Sequence, residues 1–183
     1  KTRLFKKYQL SEKEEKILIR KNITGAEAFE KLFDETTSIF EFKVGIKGRL
    51  KTFNQGNISS LFSDPDREIR RNALEAYYKP YKQNKNLLAN IFNNIIKDHS
   101  INSVLRKYPD VVFPAHLSNY IKPSIIETMM NSVRDNYRIA EKYYCLKAKL
   151  MKLKKLKGYD AKAPVISKKF TYTFDEAKNL IYS

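Results

Sequence analysis

Apolar positions recur at helical spacing along most of the chain and switch to strict alternation once. Ser11 followed three residues later by Glu14 is a capping box: a hydroxyl for an orphan N–H, and a carboxylate that reaches back. Ile17 and Leu18 give the helix behind it an apolar side. Thr24 and Glu27 repeat the box, with Ala28, Phe29, Leu32 and Phe33 on one helical face. From Phe40 the period becomes two. Phe40, Phe42, Val44 and Ile46 alternate with Glu41, Lys43 and Gly45, Gly48 permits a turn, and Leu50–Phe53 returns. A β-hairpin is expected at about 40–53, and it needs other elements to cover it.

Helical spacing then resumes. Ser63-Asp64-Pro65-Asp66 predicts a helix start in which Asp64 caps, Pro65 takes the first position and Asp66 favours the positive end of the dipole. Ile69, Ala73, Ala76, Tyr77 and Tyr81 mark its apolar face, and Pro80 should kink or divide it. Leu87, Leu88, Ile91, Phe92, Ile95 and Ile96 carry the pattern towards Tyr108. The stretch 108–122, with two prolines, is a connector. Pro123, Ser124 and Glu127 open what the spacing predicts as the longest helix. It keeps Ile126, Met130, Val133, Tyr137, Ala140, Tyr144 and Met151 on one face to about Leu153. Lys157 to Pro164 breaks it, Lys168–Tyr172 reads as extended, and Thr173 with Glu176 opens a last helix bearing Phe174, Ala177, Leu180 and Ile181. That helix stops at Ser183 without a C-terminal cap, and the chain starts at Lys1 without Met. The sequence therefore reads as a piece of a longer protein.

Charge changes this picture less than its size suggests. The 183 residues carry 36 Lys and Arg against 20 Asp and Glu, a formal net charge of +16. Such a surface suits nucleic acid or another anionic partner. Lys, Asn, Ile, Tyr and Phe are also what AT-rich codons encode, and a solvated Lys-rich exterior is the preferred reading. The densest run is Lys147, Lys149, Lys152, Lys154, Lys155 and Lys157. These charges spread around a helix rather than form a stripe, no base-reading motif accompanies them, and lysines near a helix C-terminus complement the dipole. No specific nucleic-acid site is expected. No long uncharged apolar run is present to span a membrane, no signal-peptide pattern opens the chain, and the one cysteine rules out an internal disulfide framework. A reducing, cytoplasmic setting is expected.

Candidate chemistry is sparse. His99 and His116 stand alone, in neither H-E-x-x-H nor any other paired-ligand spacing, whereas zinc wants three or four ligands. Cys145 has Lys142, Lys147 and Lys149 nearby but no histidine close in sequence, so an inert thiol is expected. The five glycines form no phosphate loop. Asp64 and Asp66 are explained by the helix start, and Glu141 by a solvated face. Tyr77-Tyr78 and Tyr143-Tyr144 have the spacing of packed, semi-buried rings. No catalytic, cofactor-binding or metal-ligating residue is assigned.

The order of several segments carries a resemblance. Ser11-Glu12-Lys13-Glu14-Glu15, Ile23-Thr24-Gly25-Ala26 and Phe29-Glu30-Lys31-Leu32-Phe33 lead to Ser63-Asp64-Pro65-Asp66-Arg67-Glu68-Ile69-Arg70-Arg71, the most distinctive piece. Ile91–Asp98, Leu105-Arg106-Lys107-Tyr108, Asn136-Tyr137, Lys142–Leu150 and Tyr159-Asp160-Ala161-Lys162-Ala163-Pro164 follow in sequence. Together they resemble the N-terminal lobe of the oligoendopeptidase F family, zinc metallopeptidases of the thimet-oligopeptidase kind. Lys107 stands where that family commonly has glycine, and Cys145 and Ala161 where it commonly has arginine.

The resemblance implies a helical peptidase with a deep cleft between lobes. Its zinc would be held by H-E-x-x-H and a distant glutamate, all C-terminal to Ser183. The expected fold is mainly α: a multi-helical lobe with long antiparallel helices and one small hairpin. Residues 1–122 are expected to form the N-terminal lobe, and 123–183 the long helix and the start of a truncated catalytic region. The parent would be a cytoplasmic zinc metalloendopeptidase that hydrolyses internal bonds of short peptides. This piece would form part of the cleft wall, inactive alone and prone to self-association. The alternative is a basic helical binding module for nucleic acid or a protein partner.

Overall fold

The computed structural model describes residues 6–165 and 171–182. In chain order the helices are α1 (Glu12–Asn22), α2 (Ala26–Ser38), α3 (Gln55–Ile58), α4 (Arg67–Gln83), α5 (Lys85–Leu105), α6 (Phe113–Ser118), α7 (Pro123–Asp135), α8 (Tyr137–Leu150) and α9 (Phe174–Tyr182). Strands β1 (Phe42–Ile46) and β2 (Arg49–Phe53) lie between α2 and α3, and short 3-10 turns cover Ser59–Ser63 and Gly158–Asp160. The fold is mainly α with one two-stranded antiparallel sheet, as the periodicity predicts.

The hairpin pairs Phe42 with Phe53 and Ile46 with Arg49. Lys47 and Gly48 form its two-residue loop, both at positive φ (48° and 76°). That backbone twist matches the twist of the strands. The alternating residues of β1 point onto α4: Phe42 and Val44 are fully buried with Phe40, Ile58 and Ala73. Phe42 stacks on Tyr77 at 5.3 Å between ring centroids, and Phe40 meets Tyr81 edge-on at 5.1 Å. The Asn72 amide donates to the Gly45 carbonyl (3.0 Å), tying α4 to the strand. This is the chain's one closed apolar cluster among the described residues.

Two capping boxes form as expected. Ser11 and Glu14 exchange bonds at the start of α1, and Thr173 and Glu176 at the start of α9. The third does not: the Thr24 hydroxyl donates to the Lys21 carbonyl, Glu27 accepts from the Asn22 amide, and Gly25 takes the N-cap position of α2 without a side-chain bond. The start of α4 also differs. Asp66, with extended backbone, caps by accepting the Glu68 N–H (2.8 Å), while Asp64 accepts the Asp66 N–H (2.8 Å). Pro65 therefore stays outside the helix. Asn54 and Asn57 form a further box at α3, and the short α6 falls inside the predicted connector.

The largest departure is the helix opened at Pro123. Lys122 is its N-cap, and Ser124 lies inside, its carbonyl accepting from Thr128. The helix does not run on to Leu153. It breaks at Asn136, whose side-chain amide donates to the Ser132 carbonyl (2.7 Å), the acceptor the backbone N–H would otherwise take. The displaced N–H turns to Val133 instead. A side chain competing for the ladder in this way is a known route to a helix break. Asn84, between α4 and α5, differs: its backbone N–H (3.0 Å) and its side-chain amide (2.9 Å) both reach the Pro80 carbonyl, so no ladder bond is displaced there. Pro80 itself lies within α4, and the division comes at Asn84. The longest helix is thus α5, with 21 residues. The stretch expected as extended from Lys168 lies mostly outside the described residues.

Candidate functional site

Two charged clamps hold distant segments together. In the first, Asp160, with no exposed surface, sits in the turn after Lys157. Arg67 embraces its carboxylate through Nε (3.0 Å) and Nη2 (2.9 Å) and lies over the Tyr159 ring. Arg70 adds Nη2 (3.1 Å), and the Lys157 backbone N–H a further bond (2.9 Å). Arg70, 1% exposed, spends its other donors on the carbonyls of Asp64, Pro65 and Tyr159. Every bond to these arginines is to a carbonyl or the one carboxylate, so the buried charge is paired and hydrogen-bonded, as burial demands.

The Arg67 guanidinium, helped by the Lys157 N–H and Arg70, holds the Asp160 carboxyl down to about 2 against the opposing effect of burial. A carboxylate that weakly basic and that fully engaged is no general base at neutral pH. The clamp is architecture. It joins the Ser63–Arg71 segment, the most distinctive piece of the sequence, to the Tyr159–Pro164 segment, 89 to 93 positions apart. A sign was present in the sequence: Arg70 lies one turn before Ala73, on the apolar face of its helix, where a solvated arginine has no place.

The second clamp is Glu15 with Arg106, bidentate at 2.6 and 2.8 Å. Arg106 holds the Glu15 carboxyl below its ordinary value. Beside it, Tyr8, Tyr108 and Phe113 form a cluster with ring centroids 4.9 to 5.8 Å apart. A cleft of about 460 Å³ opens between α1 and α5, lined in part by Leu18, Ile19, Lys21, Asp98, Ile101 and Asn102. Its polar groups are largely committed: Asp98 accepts from Asn102 and Arg106 serves Glu15.

Beyond the clamps, α7 and α8 form an arm. Nearly every residue from Pro123 to Leu150 is exposed, and no element of the hairpin lobe packs broadly on either helix. Its apolar side chains are not confined to one stripe. Met130, Val133, Tyr137 and Tyr144 are exposed as a predicted face, and so are Ile125, Met129, Ile139, Tyr143, Leu146 and Leu150. Tyr143 and Tyr144, expected to be semi-buried, are about half exposed in this chain. A helix apolar on several sides belongs inside a larger structure.

The sequence-level candidates are scattered. The His99 ring bonds the Val111 carbonyl through Nε2 (2.7 Å), which fastens the loop before α6. His116 is half-buried in α6, and Cys145 is an exposed free thiol on α8. Among the described residues no group of three or more His, Cys, Asp or Glu side chains is arranged to hold a metal ion. No helix among them is long and apolar enough to cross a membrane. The lysine run loses one member: Lys147 is buried, and its ammonium donates to the Ala161 carbonyl (2.8 Å).

Comparison with known proteins places this arrangement. The model for peptidase family M3 matches residues 60–181, and an oligopeptidase F model matches residues 1–42. The group B oligopeptidase PepB of Streptococcus agalactiae is 29% identical over 94% of this chain and 29% of its own length. The chromosomal oligoendopeptidase F of Lactococcus lactis is 29% identical over 78% of this chain and 24% of its own. The crystal structure of oligoendopeptidase-F from Enterococcus faecium superposes with a TM-score of 0.79 at 23% identity, covering 88% of this chain and 32% of that one. The chain spans less than a third of the length of these relatives.

Proposed function

The chain belongs to peptidase family M3, and from that membership we propose that its parent is a zinc-dependent endopeptidase that cleaves internal bonds of short peptides in the cytoplasm. The ordered match to oligopeptidases along almost the whole chain carries this reading. Among the described residues no side chains are grouped to hold zinc, and on this reading the metal would be held by residues outside this chain, which would be inactive alone. Zinc, when bound, polarises a scissile carbonyl and activates water. What this chain contributes is shape. Residues 1–122 make the N-terminal lobe, and the arm from Pro123 begins the region that the rest of the parent covers, forming one wall of the cleft. The exposed apolar side chains of the arm support this, since such surface is unusual on a finished monomer. The charge excess is carried by a solvated exterior rather than a specific nucleic-acid site.

A quenched-fluorescent peptide series tests the proposal. The parent protein should cleave short peptides, lose activity to chelator and regain it with zinc, while residues 1–183 alone stay inactive. A parent that leaves every short peptide intact in the presence of zinc would reject the reading.

A further inference from the structure

We infer that the Arg67/Arg70–Asp160 clamp is the latch that fixes the direction of the α7–α8 arm relative to the hairpin lobe. The arm leaves the lobe through the segment at Lys122 and returns to it through Met151–Lys157. Since no lobe element packs broadly on α7 or α8, their direction is set at these two ends. The returning end is fastened to the lobe by named bonds. Lys152 adopts a left-handed backbone (φ 54°), and the Leu153 N–H reaches back to the Ala148 carbonyl (2.9 Å), so the chain reverses sharply off α8. Seven residues later Asp160 is gripped by the first turn of α4. Next to it the Ala161 carbonyl accepts from the buried Lys147 on α8 itself. One turn of the chain, Tyr159-Asp160-Ala161, therefore bonds both α4 of the lobe and α8 of the arm.

The latch is a mechanical role and needs no peptidase chemistry, so its test reads distance without substrate. Spin labels at Lys51→Cys on β2 and Arg138→Cys on α8, in a Cys145→Ser background, report the lobe-to-arm distance by pulsed electron resonance. Labelled chain is diluted into unlabelled chain so that contacts between copies do not contribute. The expected result is one narrow distance distribution, broadened at least twofold by Asp160→Asn. Lys147→Met, which removes the bond to Ala161 and the ammonium's contact with the Tyr143 ring, should broaden it as well while leaving the near-ultraviolet circular dichroism of the Phe42–Tyr77 core unchanged. A distribution already broad before substitution, or one left unchanged by Asp160→Asn and Lys147→Met, overturns the latch. If Asp160→Asn unfolds the lobe, Arg67→Ala, which removes two of the three arginine bonds to Asp160 and leaves the buried Arg70 in place, decides instead: broadening supports the latch and an unchanged distribution overturns it.

Discussion

The hairpin lobe and the α7–α8 arm draw on the same kinds of side chain and end in opposite states. In the lobe, Phe40, Phe42 and Val44 meet Ala73 and Tyr77 of α4, and the cluster closes on itself. In the arm, Val133, Tyr137, Ile139 and Tyr144 meet water. The difference is not hydrophobicity but the supply of partners within the chain. A strand with one apolar face finds that face covered by a neighbouring helix about thirty residues later. A helix pair with several apolar faces has only itself. The comparison teaches that the lobe is stabilised by what this chain contains, whereas the arm finds little within it to cover its apolar side chains.

Truncating one side chain in each region gives the sharpest break of that contrast. Phe42→Ala should cost about 3–5 kcal/mol, the range for deleting a buried phenylalanine, because it leaves a cavity beneath Tyr77. Tyr137→Ala, on a side chain 60% exposed, should change stability by no more than about 0.5 kcal/mol. Urea unfolding followed by tyrosine fluorescence measures both. Equal losses would show that the arm is packed in solution and that the contrast is false.

Acid should loosen the junction between the two regions. Asp160 has a folded-state pKa of about 2, below the unfolded value of 3.8. A depressed carboxylate contributes stability above its unfolded pKa and loses it as pH falls through the folded one. The contribution, about 2 kcal/mol for a shift of this size, is present at neutral pH and disappears between about pH 4 and pH 2. Glu15, held low by Arg106, adds in the same direction. Thermal unfolding of Asp160→Asn should therefore start from lower stability at pH 7 and depend less on pH over that window. A pH dependence identical to that of the unsubstituted chain would remove Asp160 from the account.

Where the sequence could be read and where it could not follows the same division. The alternation from Phe40 to Ile46 was legible because one sheet face is buried and side chains on a strand alternate by rule. The boxes at Ser11 and Thr173 were legible because both partners are local. Thr24 failed as a cap because the helix starts one residue later, with Gly25 as N-cap, and the Thr24 hydroxyl donates back to the Lys21 carbonyl. The break at Asn136 was hidden: periodicity registers apolar positions, and Val133 and Tyr137 keep the spacing on either side of one displaced hydrogen bond. The clamp was hidden for another reason. Arg70 and Asp160 are 90 positions apart, and only a misplaced charge on the apolar face of α4 pointed to it.

The arm's unmet surface predicts its behaviour in solution. Two copies of this chain should associate through α7 and α8, since apolar area removed from water is worth about 25 cal/mol per Å². Net charge opposes this, and copies carrying +16 repel most at low salt. Association should therefore strengthen as salt rises, the opposite of binding to nucleic acid, which weakens through counterion release. Replacing Val133 and Tyr137 with serine should weaken the dimer about tenfold, about 1.4 kcal/mol, in sedimentation at moderate salt. A monomer at high micromolar concentration in both low and moderate salt would show that the arm closes without a partner.

The smallest effect separates the regions most cleanly, because it compares the same residue type in the same strained backbone. Lys47 in the hairpin loop and Lys152 at the end of α8 both hold φ near +50°. That conformation costs an ordinary side chain about 1–2 kcal/mol, and less for asparagine or glycine. Lys47 faces open solvent in a loop of the kind that prefers Asn-Gly, so Lys47→Asn with Gly48 retained should stabilise the hairpin by about 0.5 kcal/mol. For a domain of this size that raises the midpoint by about 1–2 °C. Lys152→Gly relieves the same strain but loosens the unfolded chain, which offsets part of the gain. It also acts on the arm, whose opening need not accompany the global transition. Calorimetry should find the midpoint raised by Lys47→Asn and unmoved by Lys152→Gly, while hydrogen exchange in α8 slows only in the second variant. A midpoint that rises equally in both would mean that lobe and arm unfold as one unit, which the sparse packing between them does not support.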